Sequence, residues 1–208
     1  MDEATPLDTP SESQAGYGDS TNLFQVVDRD KVNGLNLTVP EDAKELIKSW
    51  DMRENTEKYV DSGVDDQLII NVPFTQNVRL RSVLLKLGHG EWAPQRLRLY
   101  VNHPSGVGFD EADSLRTQLD IALLQGQSNV TEYPLRVAAF SNVFSISLFF
   151  SDAVGEEVTR MYYVGFKGDA RQPTKDPNTH LDIAAEHSAD AKVIDRLTEK
   201  NNTQVQIR

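Results

Sequence analysis

Four histidines, His89, His103, His180 and His187, are the side chains best suited to move a proton near neutral pH or to hold a transition metal. None is spaced as a metal pair on a helix, and none alternates with another histidine along a strand, so the spacing argues against a metal centre. His89 stands between Gly88 and Gly90 with Glu91 and Trp92 close behind, the one arrangement that resembles an exposed polar site; it reads first as a solvated hairpin loop. Asp61, Asp65 and Asp66 supply oxygen ligands of the kind calcium takes, yet such a run more often forms a solvated turn entering a strand. Arg79 and Arg81, then Arg96 and Arg98, alternate in two extended segments. If those strands pair, four guanidinium groups form a strip that can dock an acidic partner. As outward charges that keep a sheet face soluble and guard its edge, they have an equally ordinary role.

Composition removes several chemistries. With no cysteine in 208 residues there are no disulfides, thiolate zinc sites or cysteine nucleophiles. No G-x-S-x-G elbow, P-loop or G-x-G-x-x-G occurs. Nothing singles out one acid and base pair among the 32 Asp and Glu residues. The expectation is a chain without catalytic residues, cofactor or metal. A net charge of −11 is unsuited to a phosphate backbone, which excludes nucleic acid as the expected partner. No run of 18 apolar residues is present, so no membrane helix is expected. Met1 to Thr21 carries Asp2, Glu3, Asp8, Glu12 and Asp19, no base and no apolar run, which fits neither a signal nor a transit peptide. The expected setting is cytoplasmic and nuclear, and the triplets at Asn36, Asn129 and Asn201 are expected to stay unglycosylated.

The elements that must position these groups follow from periodicity. The length fits one ordinary domain with tails. Residues 1–21, acidic and rich in Pro, Ser, Thr and Gly, read as a disordered tail, with the fold starting near Asn22. Pro40 followed by Glu41 and Asp42 starts a short helix whose apolar stripe is Ala43, Leu46, Ile47 and Trp50, with Trp50 as its core anchor. Strands are expected at 67–72, 78–87, 96–101, 119–124, 135–140, 143–150 and 160–166. In the segment 143–150, Phe144, Ile146, Leu148 and Phe150 should share one face and Ser145 and Ser147 the other. Many strands without alternating helices point to an all-β, antiparallel sandwich or jelly roll. Val193, Ile194 and Leu197 suggest a short helical turn in a polar C-terminal tail, residues 191–208.

Several co-linear blocks carry a family resemblance. Asp65 to Phe74 followed by Val78 to Val83 resembles the signature block of the PITH domain, the C-terminal proteasome-interacting domain of thioredoxin-like proteins. Ala93 to Asn102, Gly108 to Ala112, Phe140 to Val143, Ser147 to Phe150 and Thr159 to Gly168 are similar to later blocks of the same family, in the same order. Ala184 to Asp190 matches its final segment only loosely. The resemblance, taken as a domain over 22–190, implies a jelly-roll β-sandwich of the galactose-binding type, without catalytic residues, that associates with the proteasome. With no thioredoxin module read ahead of it, the chain is similar to the stand-alone members. A monomer that binds a protein partner, with proteasome subunits as its candidates and Arg79, Arg81, Arg96 and Arg98 as its contacts, is the main expectation. A small-ligand or glycan-binding sandwich, with Trp92 in its end loops, is the alternative.

Overall fold

The computed structural model describes residues 21–170. Among the described residues nine antiparallel strands run β1 (Thr21–Asn22), β2 (Asn33–Leu35), β3 (Val60–Asp61), β4 (Leu68–Leu87), β5 (Pro94–Val101), β6 (Leu119–Ala122), β7 (Thr131–Pro134), β8 (Val143–Ala153) and β9 (Arg160–Ala170), with one short α-helix, α1 (Phe109–Ala112), and several 3₁₀ turns. The long strand β4 organises both layers. Its first part, through Pro73, lies between β2 and β8, and β8 continues to β5 and β6. Its second part, from Val78, lies between β9 and β7, and β9 carries β1 and β3. The register breaks between Pro73 and Val78, where proline cannot donate to the ladder and the strand turns from one layer into the other.

One apolar core fills the space between the layers. Leu68, Ile70, Val72, Leu97, Leu99, Ile146, Leu148 and Phe150 come from the first layer, and Leu80, Val83, Leu85, Met161, Val164 and Phe166 from the second. The alternation of period two that marks these residues in the sequence is the alternation of a half-buried strand. A smaller cluster on the outer face of the first layer, Ile69, Tyr100 and Phe149, is covered by Val107, Ala112 and the partly buried Phe109 of the segment containing α1. The buried Tyr100 hydroxyl donates to the Ala112 carbonyl at 2.8 Å, which fixes that cover.

Several expectations change. Pro40 does start a helix, but it is a 3₁₀ helix ending at Leu46, and Ile47 is already extended. Ala43, Leu46 and Ile47 are buried as expected, whereas Trp50 begins a separate 3₁₀ turn and is 42% exposed. The stripe fails there because the helix stops before Trp50 can align with it; the ring is covered instead by Arg53, 4.0 Å from its centre. Phe144 is 40% exposed and leaves the core face, on which Val143 takes its place. Residues 135–140 are not a strand. β7 ends at Pro134, and Arg136 to Phe140 form turns closed by Ala139 N–H to Arg136 O (3.0 Å), which bury Phe140 at the end of an otherwise exposed loop. The expected strands at 67–72 and 78–87 are two parts of one bent strand. The disordered-tail expectation for residues 1–21 falls outside the described residues except at Thr21, which is paired in β1. The turn at 193–197 lies wholly outside them.

Candidate functional site

The four arginines do not form one strip. β5 pairs only with β6 and β8, so Arg96 and Arg98 belong to the first layer, while Arg79 and Arg81 lie in the part of β4 that belongs to the second. Three are already paired. Arg81 donates twice to Asp169 Oδ2, at 3.1 and 2.9 Å, Arg96 binds Asp120 bidentately at 2.9 and 2.7 Å, and Arg98 reaches Asp113 at 2.9 Å while lying 4.1 Å from the centre of the Phe149 ring. The Asp120 carboxyl is held below its ordinary range by the Arg96 hydrogen bonds. Two separate arginine patches, largely neutralised by their own carboxylates, replace the continuous strip.

The carboxylates near residue 61 are likewise committed to the fold. Asp61 binds Arg160 bidentately, at 2.7 Å twice. Asp65 Oδ1 accepts from Asn36 Nδ2 at 2.7 Å and from Gln67 N–H at 3.0 Å. Asp66 Oδ2 accepts from Ala153 N–H at 2.6 Å. They point to three different places, and among the described residues no three His, Asp or Glu side chains gather in a metal-holding group. His89 is exposed in its loop, His103 lies in the turn after β5 with its ring edge-on to Tyr100, and His180 and His187 lie outside the described residues.

Two grooves of comparable size are open. One, of about 360 Å³, lies beside β3 and is lined by Val39, Asp42, Glu57 and Tyr59 among others. The other, of about 330 Å³, lies on the outer face of the first layer. There the registers set Asn33, Asn71, Ser147 and Tyr100 side by side on four strands, and Asn33, Asn71 and Ser147 line the groove with Ser145 under the turn from His103 to Gly106. The Ser145 hydroxyl donates to the His103 carbonyl at 3.2 Å, not to its imidazole, so the pair is not a nucleophile with its base. Neutral amides and hydroxyls of this kind can hydrogen-bond a small polar molecule.

A third feature brings together four loops at one end of the sandwich. Ala153 N–H donates to Asp66 Oδ2 at 2.6 Å, Val154 N–H to Ala93 O at 3.1 Å and Gly155 N–H to Glu91 O at 2.8 Å. Gln125 Nε2 donates to Pro94 O at 3.0 Å. These bonds tie segments 62–66, 88–95, 123–130 and 152–159 together. From them project Val64 (93% exposed), Leu124 (58%), Val154 (48%) and Trp92 (45%). The Trp92 ring is fixed from below, with the Arg160 guanidinium 4.4 Å from its centre and 4.0 Å from that of Tyr59. The Asp61 hydrogen bonds raise the Arg160 pKa and keep that cation in place between the rings. Sequence reasoning found Trp92 and the end loops but not Val64, Leu124 or Val154. Val64 and Val154 are isolated aliphatic residues in loops with no period to mark them, and Leu124 falls in the strand expected at 119–124, whereas β6 ends at Ala122 and leaves it exposed; only the tertiary hydrogen bonds gather these three.

The PITH domain family model matches residues 13–186, starting nine residues before the expected start at 22. PITH domain-containing protein 1 from Danio rerio is 33% identical over 180 residues, spanning 86% of this chain and 85% of the relative. The Xenopus laevis protein of the same name is 32% identical over 192 residues, spanning 92% and 88%. Among solved structures, truncated AlyQ with CBM32 and alginate lyase domains superposes with a TM-score of 0.52 at 9% identity, over 74% of this chain and 36% of that one. The C-terminal domain of a chitobiase from Bacteroides fragilis does so with a TM-score of 0.50 at 15% identity, over 68% and 95%. These likenesses fix the architecture as a galactose-binding-like β-sandwich. With the family model covering most of the sequence and relatives aligned over most of their own length, the chain belongs to the PITH domain family.

Proposed function

We propose that this chain is a non-catalytic protein-interaction domain that associates with the proteasome or a related regulatory assembly, as a monomer, in the cytoplasm and nucleus. The observation that carries the reading is membership of the PITH domain family over the whole described fold. The chemistry of the side chains supports it. The candidate ligating carboxylates are bound to Arg160 and to backbone amides, and the candidate hydroxyl at Ser145 is bound to a carbonyl. Arg79 with Arg81, and Arg96 with Arg98, are then two separate candidate patches for an acidic surface of the partner, in competition with the acidic end of the sandwich. The test is co-sedimentation of the purified full chain with purified 26S proteasome. A stoichiometric fraction in the pellet supports the reading, and none at micromolar concentrations of both overturns it.

The groove on the outer face of the first layer favours a second reading, a site for a small neutral polar ligand such as a glycan. Its support is the row of Asn33, Asn71 and Ser147. One structural neighbour also includes a domain named CBM32. A thermal-shift screen against neutral saccharides tests it, and a flat response across the panel removes it.

A further inference from the structure

We propose that the four-loop end of the sandwich is the docking surface of this domain, and that it takes a protein partner presenting an apolar cleft with a basic rim; this rests on the protein-binding reading above and names the surface that performs it. Segments 62–66, 88–95, 123–130 and 152–159 contain no Lys or Arg, and they carry Asp65, Asp66, Glu91, Asp152, Glu156 and Glu157. All of these carboxylates except the half-buried Asp66 are exposed. Among them stand Val64, Trp92, Leu124 and Val154. Leu124 lines the same small cleft as Gly88 and Ala93, which joins the third loop to the second. Apolar side chains ringed by one sign of charge gain from burial in a complementary cleft and are steered there by the opposite charge. Nucleic acid and anionic lipid both repel such a rim, which leaves a basic protein surface as the matching occupant.

The surface is also built in advance of binding. Trp92 and Tyr59 are held on the two sides of Arg160, whose guanidinium is locked by Asp61, so the exposed aromatic rings lose little freedom when a partner covers them. Tryptophan, tyrosine and arginine are the residues in which interface energy concentrates.

The experiment places the photo-cross-linker p-benzoylphenylalanine at Leu124, at Val154 or, at the opposite end, at the exposed Asn77 of the full chain. Each protein is irradiated with purified 26S proteasome and, separately, in living cells of the source species, and the cross-linked peptides are read by mass spectrometry. The expected result is protein adducts from positions 124 and 154, in peptides with Lys or Arg beside apolar residues, and none from 77. Their yield should fall about tenfold with Trp92→Ala, and again with Glu91, Glu156 and Glu157 all changed to Lys, in proteins that keep the wild-type circular dichroism. Trp92 supports Arg160, so Val64→Ser serves as a second variant that cannot disturb that stack. Adducts with a proteasome subunit uphold both proposals. Adducts of the same kind with another protein uphold the docking surface and remove the proteasome assignment. Adducts from 77 alone, lipid adducts at 124 or 154, no adducts, or yields indifferent to these substitutions overturn the docking surface, whether or not the proteasome is bound.

Discussion

Asp61 and Arg160 face one another across the β3–β9 pair and form two hydrogen bonds of 2.7 Å, and the same guanidinium fills the space between the rings of Tyr59 and Trp92. Both side chains are about one-fifth exposed, so the pair is only partly screened by water. Asp61→Asn keeps the shape but removes the charge and one acceptor of the bidentate pair. The expected cost is about 2 kcal/mol, below the 3–5 kcal/mol of a fully buried broken pair. Urea denaturation measures it. Because Trp92 rests on Arg160, its fluorescence in the native state should shift with the same substitution, and an unshifted spectrum would show that the stack does not depend on Asp61.

Gly106 has φ +76°, and a Cβ built there falls 2.4 Å from Asn71 Nδ2. Asn71 cannot easily move, since its amide donates to Asn33 Oδ1 at 3.1 Å and its carbonyl accepts from Val107 N–H at 3.2 Å. Gly106→Ala therefore combines a left-handed backbone with a clash against a fixed side chain, and should cost about 2–3 kcal/mol. Gly108, two residues on, has an extended backbone and open space at its Cβ position. Gly108→Ala should stay within about 0.5 kcal/mol of wild type in the same denaturation series.

What could be read from the sequence was what a strand repeats. Leu97 and Leu99, or Leu148 and Phe150, announce their face every second residue, and both pairs are in the core. The bend at Pro73 was visible as a break, but not that both parts form one strand serving two layers. That fact decides the fate of the arginines. Arg79 and Arg96 have the same local pattern, and only the pairing of β4 with β9 and of β5 with β8 assigns them to different layers. Trp50 failed for a related reason. Spacing at i, i+3, i+4 and i+7 assumes an uninterrupted α-helix, and the chain leaves the helical conformation at Ile47. At the loop end Trp92 and the loops were legible but not their assembly, because long-range hydrogen bonds such as Ala153 to Asp66 leave no trace in local composition.

Glu132 predicts an acid-sensitive contribution. Its carboxylate accepts from Lys167 Nζ and Ser82 Oγ, each at 2.6 Å, and these bonds, the Lys167 one foremost, hold its pKa below the ordinary value of 4.5. Between the two values the unfolded chain binds more protons than the folded one, so this contribution is complete above the ordinary value and is lost as pH falls through the folded one. The side chain is 45% exposed, which limits the effect to about 1 kcal/mol or less. Glu132→Gln should lower the melting temperature slightly at pH 7, and the gap to wild type should close on titration toward pH 3. A gap independent of pH would mean that the residue acts through packing alone.

Lys48 gathers three backbone carbonyls around the segment between the 3₁₀ helix and β3. Its ammonium donates to the carbonyls of Asn55 (2.8 Å), Lys58 (2.8 Å) and Tyr162 (2.7 Å), and burial lowers its pKa. Residues 49–59 contribute no side chain to the core, and Trp50, Met52 and Tyr59 are all exposed. One cation thus ties the segment through three backbone acceptors, beside the Glu54–Lys86 ion pair and the Tyr59 ring on Arg160. Lys48→Met fills much the same volume but leaves three carbonyls without that donor, two of them part-buried and that of Lys58 exposed to water, at an expected cost of about 1–2 kcal/mol. The loss should be local before it is global. Amide exchange in residues 50–60 should quicken by about tenfold or more while the centres of β4 and β8 remain protected, because those strands draw their stability from the core cluster. Uniform quickening across all strands would instead show that the tether and the core unfold as one unit. The same variant should weaken any partner contact made through Tyr59 more than one made through Leu124, since only the former side chain lies in the tethered segment.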